Sequence, residues 1–182
     1  MKKAICIILA VFTCGILWAQ PGVDIAEGPA LLTSLGQSAD IEMARVLLNR
    51  TGIPFEMNAV VTAGSLGSNF KTIIMVLGGS SKGLGAAGIS IDEELRRAQA
   101  LVTRARELNM KIIVLHIGGS ARRGALSDDF IRFAVPRSDL TLIVSGGNED
   151  GLFTTLANEA NVPVRSADRM AGIGPLLTAA FK

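Results

Sequence analysis

Three apolar runs end in a pair of glycines, a small polar residue and a further glycine a few positions on. They are Ile73-Ile74-Met75-Val76-Leu77-Gly78-Gly79-Ser80, Ile112-Ile113-Val114-Leu115-His116-Ile117-Gly118-Gly119-Ser120 and Leu140-Thr141-Leu142-Ile143-Val144-Ser145-Gly146-Gly147-Asn148, with Gly83, Gly124 and Gly151 following. Unbroken apolar runs of this length mark strands covered on both faces, as in parallel sheets. Between them the pattern changes to a helical period. Ser38 precedes Ile41, Ala44, Leu47 and Leu48 on one helical face, and Gly52 and Pro54 end that helix. Ser90-Ile91-Asp92-Glu93 is a capping box that opens a helix with Leu95, Ala98, Leu101, Val102 and Ala105 turned inward.

The remaining elements follow from the same punctuation. Strands are expected over Ala30–Ser34, Phe55–Val61 (alternating, so nearer an edge), Thr72–Leu77, Ile112–Ile117 and the run ending at Ser145, with a short sixth over Val162–Arg165. Long loops are expected over Gly78–Gly88 and Gly118–Leu126. Further helices are expected after a Ser127 cap, from Asn148 to Asn161, and over Pro175–Phe181, where proline opens the first turn. This alternation predicts a three-layer α/β sandwich with a mainly parallel sheet of five or six strands, in flavodoxin-like, Rossmann-like order 2-1-3-4-5.

The N-terminus changes the composition. Lys2 and Lys3 precede the uncharged apolar stretch Ala4–Ala19, which falls short of the ~20 residues that span a bilayer. It reads as a secretory signal over residues 1–19, cleaved near Ala19, followed by a linker over 20–29 and one α/β domain over 30–182. The destination is then periplasmic or extracellular, with no membrane association after cleavage. Both cysteines, the single tryptophan and two lysines leave with the leader, so sixteen basic residues remain against sixteen acidic ones. No basic excess argues for nucleic acid. No disulfide or thiol chemistry is available. One histidine without cysteine gives no metal-ligand set, and no metal or cofactor is expected.

In a parallel sheet, ligands sit at the carboxyl edge, beside the point where the strand order reverses. Gly78-Gly79-Ser80-Ser81-Lys82-Gly83-Leu84-Gly85 is not a phosphate-binding P-loop, since Lys82 precedes its glycine and no Gly-Lys-Ser/Thr follows. Its Gly-x-x-x-Gly-x-Gly spacing is that of short-chain dehydrogenases, but it follows the third strand, and the chain has no tyrosine for that chemistry. What remains is a donor nest of Gly79, Ser80 and Ser81 with the charge of Lys82, or a loop whose glycines serve turn geometry alone. His116, at a strand end, is a candidate acid–base group or a buried structural residue. Beyond Gly119, Arg122 and Arg123 suit bidentate binding of carboxylate or phosphate, or pairing with Asp128 or Asp129. Gln37 and Ser38 lie across the expected switch point.

Taken together, Leu32–Asp40, Gly78–Gly88, His116-Ile117-Gly118-Gly119, Ala121-Arg122-Arg123-Gly124 and Gly151-Leu152-Phe153 resemble a family of exported bacterial proteins catalogued only as a domain of unknown function. The resemblance spans nearly the whole chain after the leader. It implies export and one α/β domain, and implies no reaction.

Three functions fit these residues. The first is binding of a small anionic molecule, carboxylate or phosphate, at the carboxyl edge by Gln37, Ser38, Gly79, Ser80, Ser81, Lys82, His116, Gly119, Arg122 and Arg123. The second is a hydrolase or transferase on an anionic substrate using His116. The third is a non-catalytic module for a protein partner whose identity the sequence does not give.

Overall fold

The computed structural model describes residues 25–182. The expected leader and the first half of the expected linker, residues 20–24, lie outside the described residues. Six strands form one parallel sheet: β1 (Ala30–Leu35), β2 (Phe55–Met57), β3 (Thr72–Leu77), β4 (Lys111–His116), β5 (Leu140–Val144) and β6 (Val164–Ala167). Their order is β2-β1-β3-β4-β5-β6, every pair parallel, so the order reverses between β1 and β3.

Strand alternation sorts the core into two layers. Leu31, Leu35, Ile73, Met75, Leu77, Ile112, Val114 and Ile143 face α3 (Ile91–Glu107), α4 (Ala125–Ala134) and α5 (Leu152–Glu159). Leu32, Ile74, Val76, Ile113, Leu115 and Leu142 face α1 (Asp40–Asn49) and α6 (Ile173–Ala180). α3 opens with the expected reciprocal cap: Ser90 Oγ accepts from Glu93 N, and Glu93 Oε2 accepts from Ser90 N. That hydrogen bonding also holds the Glu93 carboxyl below its ordinary range.

Several expected boundaries are corrected by tertiary contacts. The Gly78–Gly88 stretch holds a helix, α2 (Ser81–Ala87), in place of a continuous loop. Ser80 Oγ caps it by accepting from Gly83 N, Leu84 is buried, and Gly88 closes it at φ +68°. Helix α4 starts at Ala125, ahead of the expected Ser127 cap, because Ser127 turns inward and its Oγ accepts from Gly79 N at 2.9 Å. β2 stops at Met57, four residues early, with Asn58 N donating to Leu32 O as the chain leaves the sheet. β6 is shifted two residues later than expected, and α6 begins two residues before Pro175. The expected Asn148–Asn161 helix is shorter, α5 running over Leu152–Glu159 behind a Gly151 cap at φ +74°, and Asn148 reaches it from the preceding turn, its Oδ1 accepting from Phe153 N at 2.8 Å. The end of the expected linker is part of the domain, for Ile25 N and Ala26 N both donate to Ala180 O.

Candidate functional site

The carboxyl ends of β1, β3 and β4 meet at the switch point. β1 runs into Gly36 and Gln37, both left-handed, at φ +95° and +57°. Gly36 lies against the β3 terminus so closely that a methyl group on it would stand 2.6 Å from Gly78 O. Only glycine fits there. The turn is held from α3: the Glu94 carboxylate, fully buried, accepts from Gly36 N at 2.9 Å and from Gln37 Nε2 at 3.0 Å. The same carboxylate accepts from Nε and Nη2 of Arg97. Arg97 in turn donates to the backbone oxygens of Ser34 and Val61. Glu94 and Arg97 were missed from the sequence, although Glu94 carries a legible signal. It stands one helical repeat before Ala98, Leu101, Val102 and Ala105, a charge on the stripe that faces the core.

The donor nest expected after β3 is already occupied by the protein. Gly78 N donates to Leu35 O, Gly79 N to Ser127 Oγ, and Ser80 N to Gly36 O. Ser80 Oγ is taken up by its cap. The amide of Gln37 serves Ala59 O and Glu94. Ser81 and Lys82 are exposed in the first turn of α2.

His116 is wholly buried and does not open to the edge. Its Nδ1 lies 3.2 Å from Leu77 O and its Nε2 3.2 Å from Gly119 O, with the ring 5.0 Å from that of Phe153. Burial is the main influence on its pKa and lowers it from 6.5, against the pull of the two carbonyls. Neither nitrogen meets a hydroxyl or carboxylate, so this geometry gives general acid–base chemistry no proton path. It also explains the glycine at 147, where a methyl group would stand 2.6 Å from the imidazole. Gly119, at φ +58°, supplies the turn that brings its carbonyl back to the ring.

The two arginines separate. Arg123 is saturated: it pairs with both oxygens of Asp128 and of Asp150, donates to Gly147 O, and lies 5.8 Å from the centroid of Phe153. These hydrogen bonds hold both carboxyls below their ordinary range. Arg123 is therefore a tie between the loops after β4 and β5. Arg122 points the other way, toward α1. Its Nε donates to Asp40 Oδ1 at 3.0 Å, and its side chain remains 37% exposed. Among the described residues its two terminal nitrogens have no hydrogen-bond partner. Ser38, buried beside this pair, accepts from Asp40 N. Asp40 was not picked out from the sequence, though an acid two residues after a turn serine, in a first helical turn, is a readable sign.

The structure thus brings Ser38, Asp40 and Arg122 together at the ends of β3 and β4, and turns Gln37, Ser80, His116 and Arg123 to internal bonding. Among the described residues no group of His, Cys, Asp or Glu is set to hold a metal ion. No described helix is long and apolar enough to cross a membrane.

A family model described as "Domain of unknown function (DUF6305)" matches residues 27–181. The chain belongs to this family. A search of curated proteins gives no match. Among solved structures, the chain is similar to AlinE4, described as an SGNH-hydrolase family esterase, at 10% identity and a TM-score of 0.31, covering 80% of this chain and 79% of that one. Two mutants of the same esterase align similarly, at 10% and 11% identity and TM-scores of 0.30 and 0.32 over 80% and 81% of this chain and 79% of each of theirs. At such scores nothing of the esterase's activity transfers to this member of the DUF6305 family.

Proposed function

We propose that this domain binds a small anionic ligand, a carboxylate or phosphate, at the carboxyl edge between β1, β3 and β4, with Arg122 as the clamp. One observation carries the reading: among the described residues Arg122 commits only Nε to Asp40 and keeps its two terminal nitrogens free at a partly exposed position. An arginine fork in that state is suited to bidentate pairing with a planar or tetrahedral anion. Lys82, exposed on the helix after β3, adds positive charge on the same edge. In this reading the domain acts outside the cytoplasm, its leader removed near Ala19, and needs no cofactor.

The test is native mass spectrometry of the exported protein for a co-purifying small molecule, with melting shifts across a panel of anionic metabolites. Ligand-induced shifts should shrink in Arg122→Ala and vanish in Arg122→Ala with Lys82→Ala. Identical shifts in wild type and the double variant, or none with any anion, would sink the proposal.

A further inference from the structure

The Asp40–Arg122 pair is incomplete on both sides, in complementary ways. Oδ1 of Asp40 accepts from Arg122, but Oδ2 is sealed from solvent and has no hydrogen-bond partner among the described residues. Asp40 itself is only 7% exposed. Its free oxygen packs against the ends of β3 and β4, beside Gly78 and Gly118. A methyl group on Gly118 would stand 2.7 Å from Oδ2, and one on Gly78 would stand 3.3 Å from it and 2.6 Å from Ser38 Oγ. The stem of Arg122 fills the space over Gly118, its Cγ lying where a Gly118 methyl would go. The Arg122 stem therefore covers an unsatisfied carboxylate oxygen and a serine hydroxyl, and its partly exposed side chain has to swing outward before a ligand can reach them.

We propose that, with Arg122 swung outward, Asp40, Ser38 and Arg122 recognise the ammonium and carboxylate of a free α-amino acid, which inserts between Asp40 and Arg122. The inference rests on the anion-binding reading of the same site and narrows its ligand. A carboxylate that draws the guanidinium onto itself takes away the counter-ion of Asp40. A phosphate or simple carboxylate in that inserted position would leave a buried charge unpaired, so such an anion is confined to the terminal nitrogens with the Asp40 pair intact. A ligand that brings its own cation removes that penalty. An ammonium carries three donors, enough for Oδ1, Oδ2 and Ser38 Oγ. The pair it divides is neutral in sum, as the zwitterion is. With the ligand bound, Asp40 Oδ2 gains the partner it lacks, and the terminal nitrogens of Arg122 gain a bidentate carboxylate.

The experiment uses the purified full chain. Melting curves are recorded with each of the twenty amino acids, with the deamino acid and decarboxylated amine matching each one that responds, and with inorganic phosphate; calorimetry then gives affinities. At least one amino acid should bind tenfold or more tightly than its deamino acid and its amine. Asp40→Asn should lower that affinity at least tenfold while leaving binding of the deamino acid unchanged or strengthened. Deamino acids or phosphate binding as tightly as any amino acid overturns the zwitterion inference and leaves the anion reading standing. No response to any amino acid overturns the zwitterion inference alone if an anion of the panel shifts the melting point, and overturns both if none does. Should Asp40→Asn fail to fold, as seen by circular dichroism, the ligand series on the wild-type chain decides alone.

Discussion

Arg122 Nε lies 3.0 Å from Asp40 Oδ1, joining the loop after β4 to the first turn of α1 across 82 residues of sequence. The two ends of this bond are unlike. Asp40 is buried, and Arg122 is more than a third exposed. Loss of the arginine strands a carboxylate inside the protein, whereas loss of the carboxylate frees an arginine that water can solvate.

The first prediction follows from that asymmetry. Arg122→Ala should destabilise the fold by about 1–2 kcal/mol, below the usual figure for a fully buried pair because solvent screens its guanidinium. Asp40→Asn should be milder, and the double variant Asp40→Asn with Arg122→Ala should recover part of the loss. Urea melts of the four proteins check this, and strict additivity would show that the pair is not coupled.

Glu94 should matter more. Its carboxylate is buried and accepts from the Gly36–Gln37 turn and from Arg97. Glu94→Ala leaves Arg97 and two donors of the turn without their acceptor, a loss of about 3 kcal/mol or more. For a domain of this length that corresponds to a melting point lower by roughly 6–12 °C. A melting point within 2 °C of wild type, a small effect by the same scale, would mean the network is not rigid.

Two neighbouring glycines should respond in opposite directions to the same change. A methyl group on Gly83 would stand 1.8 Å from Gln37 O, while one on Gly85 meets nothing within 4 Å. Gly83→Ala should therefore cost about 1–3 kcal/mol by overpacking. Gly85→Ala should gain about 0.5–1 kcal/mol from helix propensity and a less flexible unfolded chain. Equal effects would contradict the close approach of α2 to the β1 turn.

The pH dependence of stability should show two regions. Burial lowers the folded pKa of His116 below 6.5, so the unfolded chain binds this proton first. The contribution is whole above that value and is lost as pH falls toward the folded pKa. His116→Gln should flatten the stability curve there even if it lowers its overall level. The Arg123 hydrogen bonds depress Asp128 and Asp150 below 3.8, so their contribution is present above that value and is lost in stronger acid. Arg123→Gln should reduce the acid slope below about pH 4 and change the His116 region only slightly, since Arg123 adds a small charge effect to the burial that lowers the His116 pKa. Denaturant midpoints measured from pH 3 to 8 separate the two.

The sequence alone determined the layers of this protein. Unbroken apolar runs such as Ile73–Leu77 and Ile112–Leu115 permit only strands covered on both faces, and the 3.6-residue stripe of Ala98, Leu101, Val102 and Ala105 permits only a helix packed on them. It also placed the polar loops at the right edge of the sheet, since paired glycines mark where those strands end. Tertiary structure decided which polar groups at that edge remain available. Nothing local separates Arg122 from Arg123, or marks the N–H groups of Gly79 and Ser80 as spent. Those outcomes depend on partners far along the chain: Asp150 for Arg123, Ser127 for Gly79, Gly36 for Ser80, Asp40 for Arg122. Burial makes each polar atom find a partner or forfeit hydration, and the folded topology determines which partners are within reach.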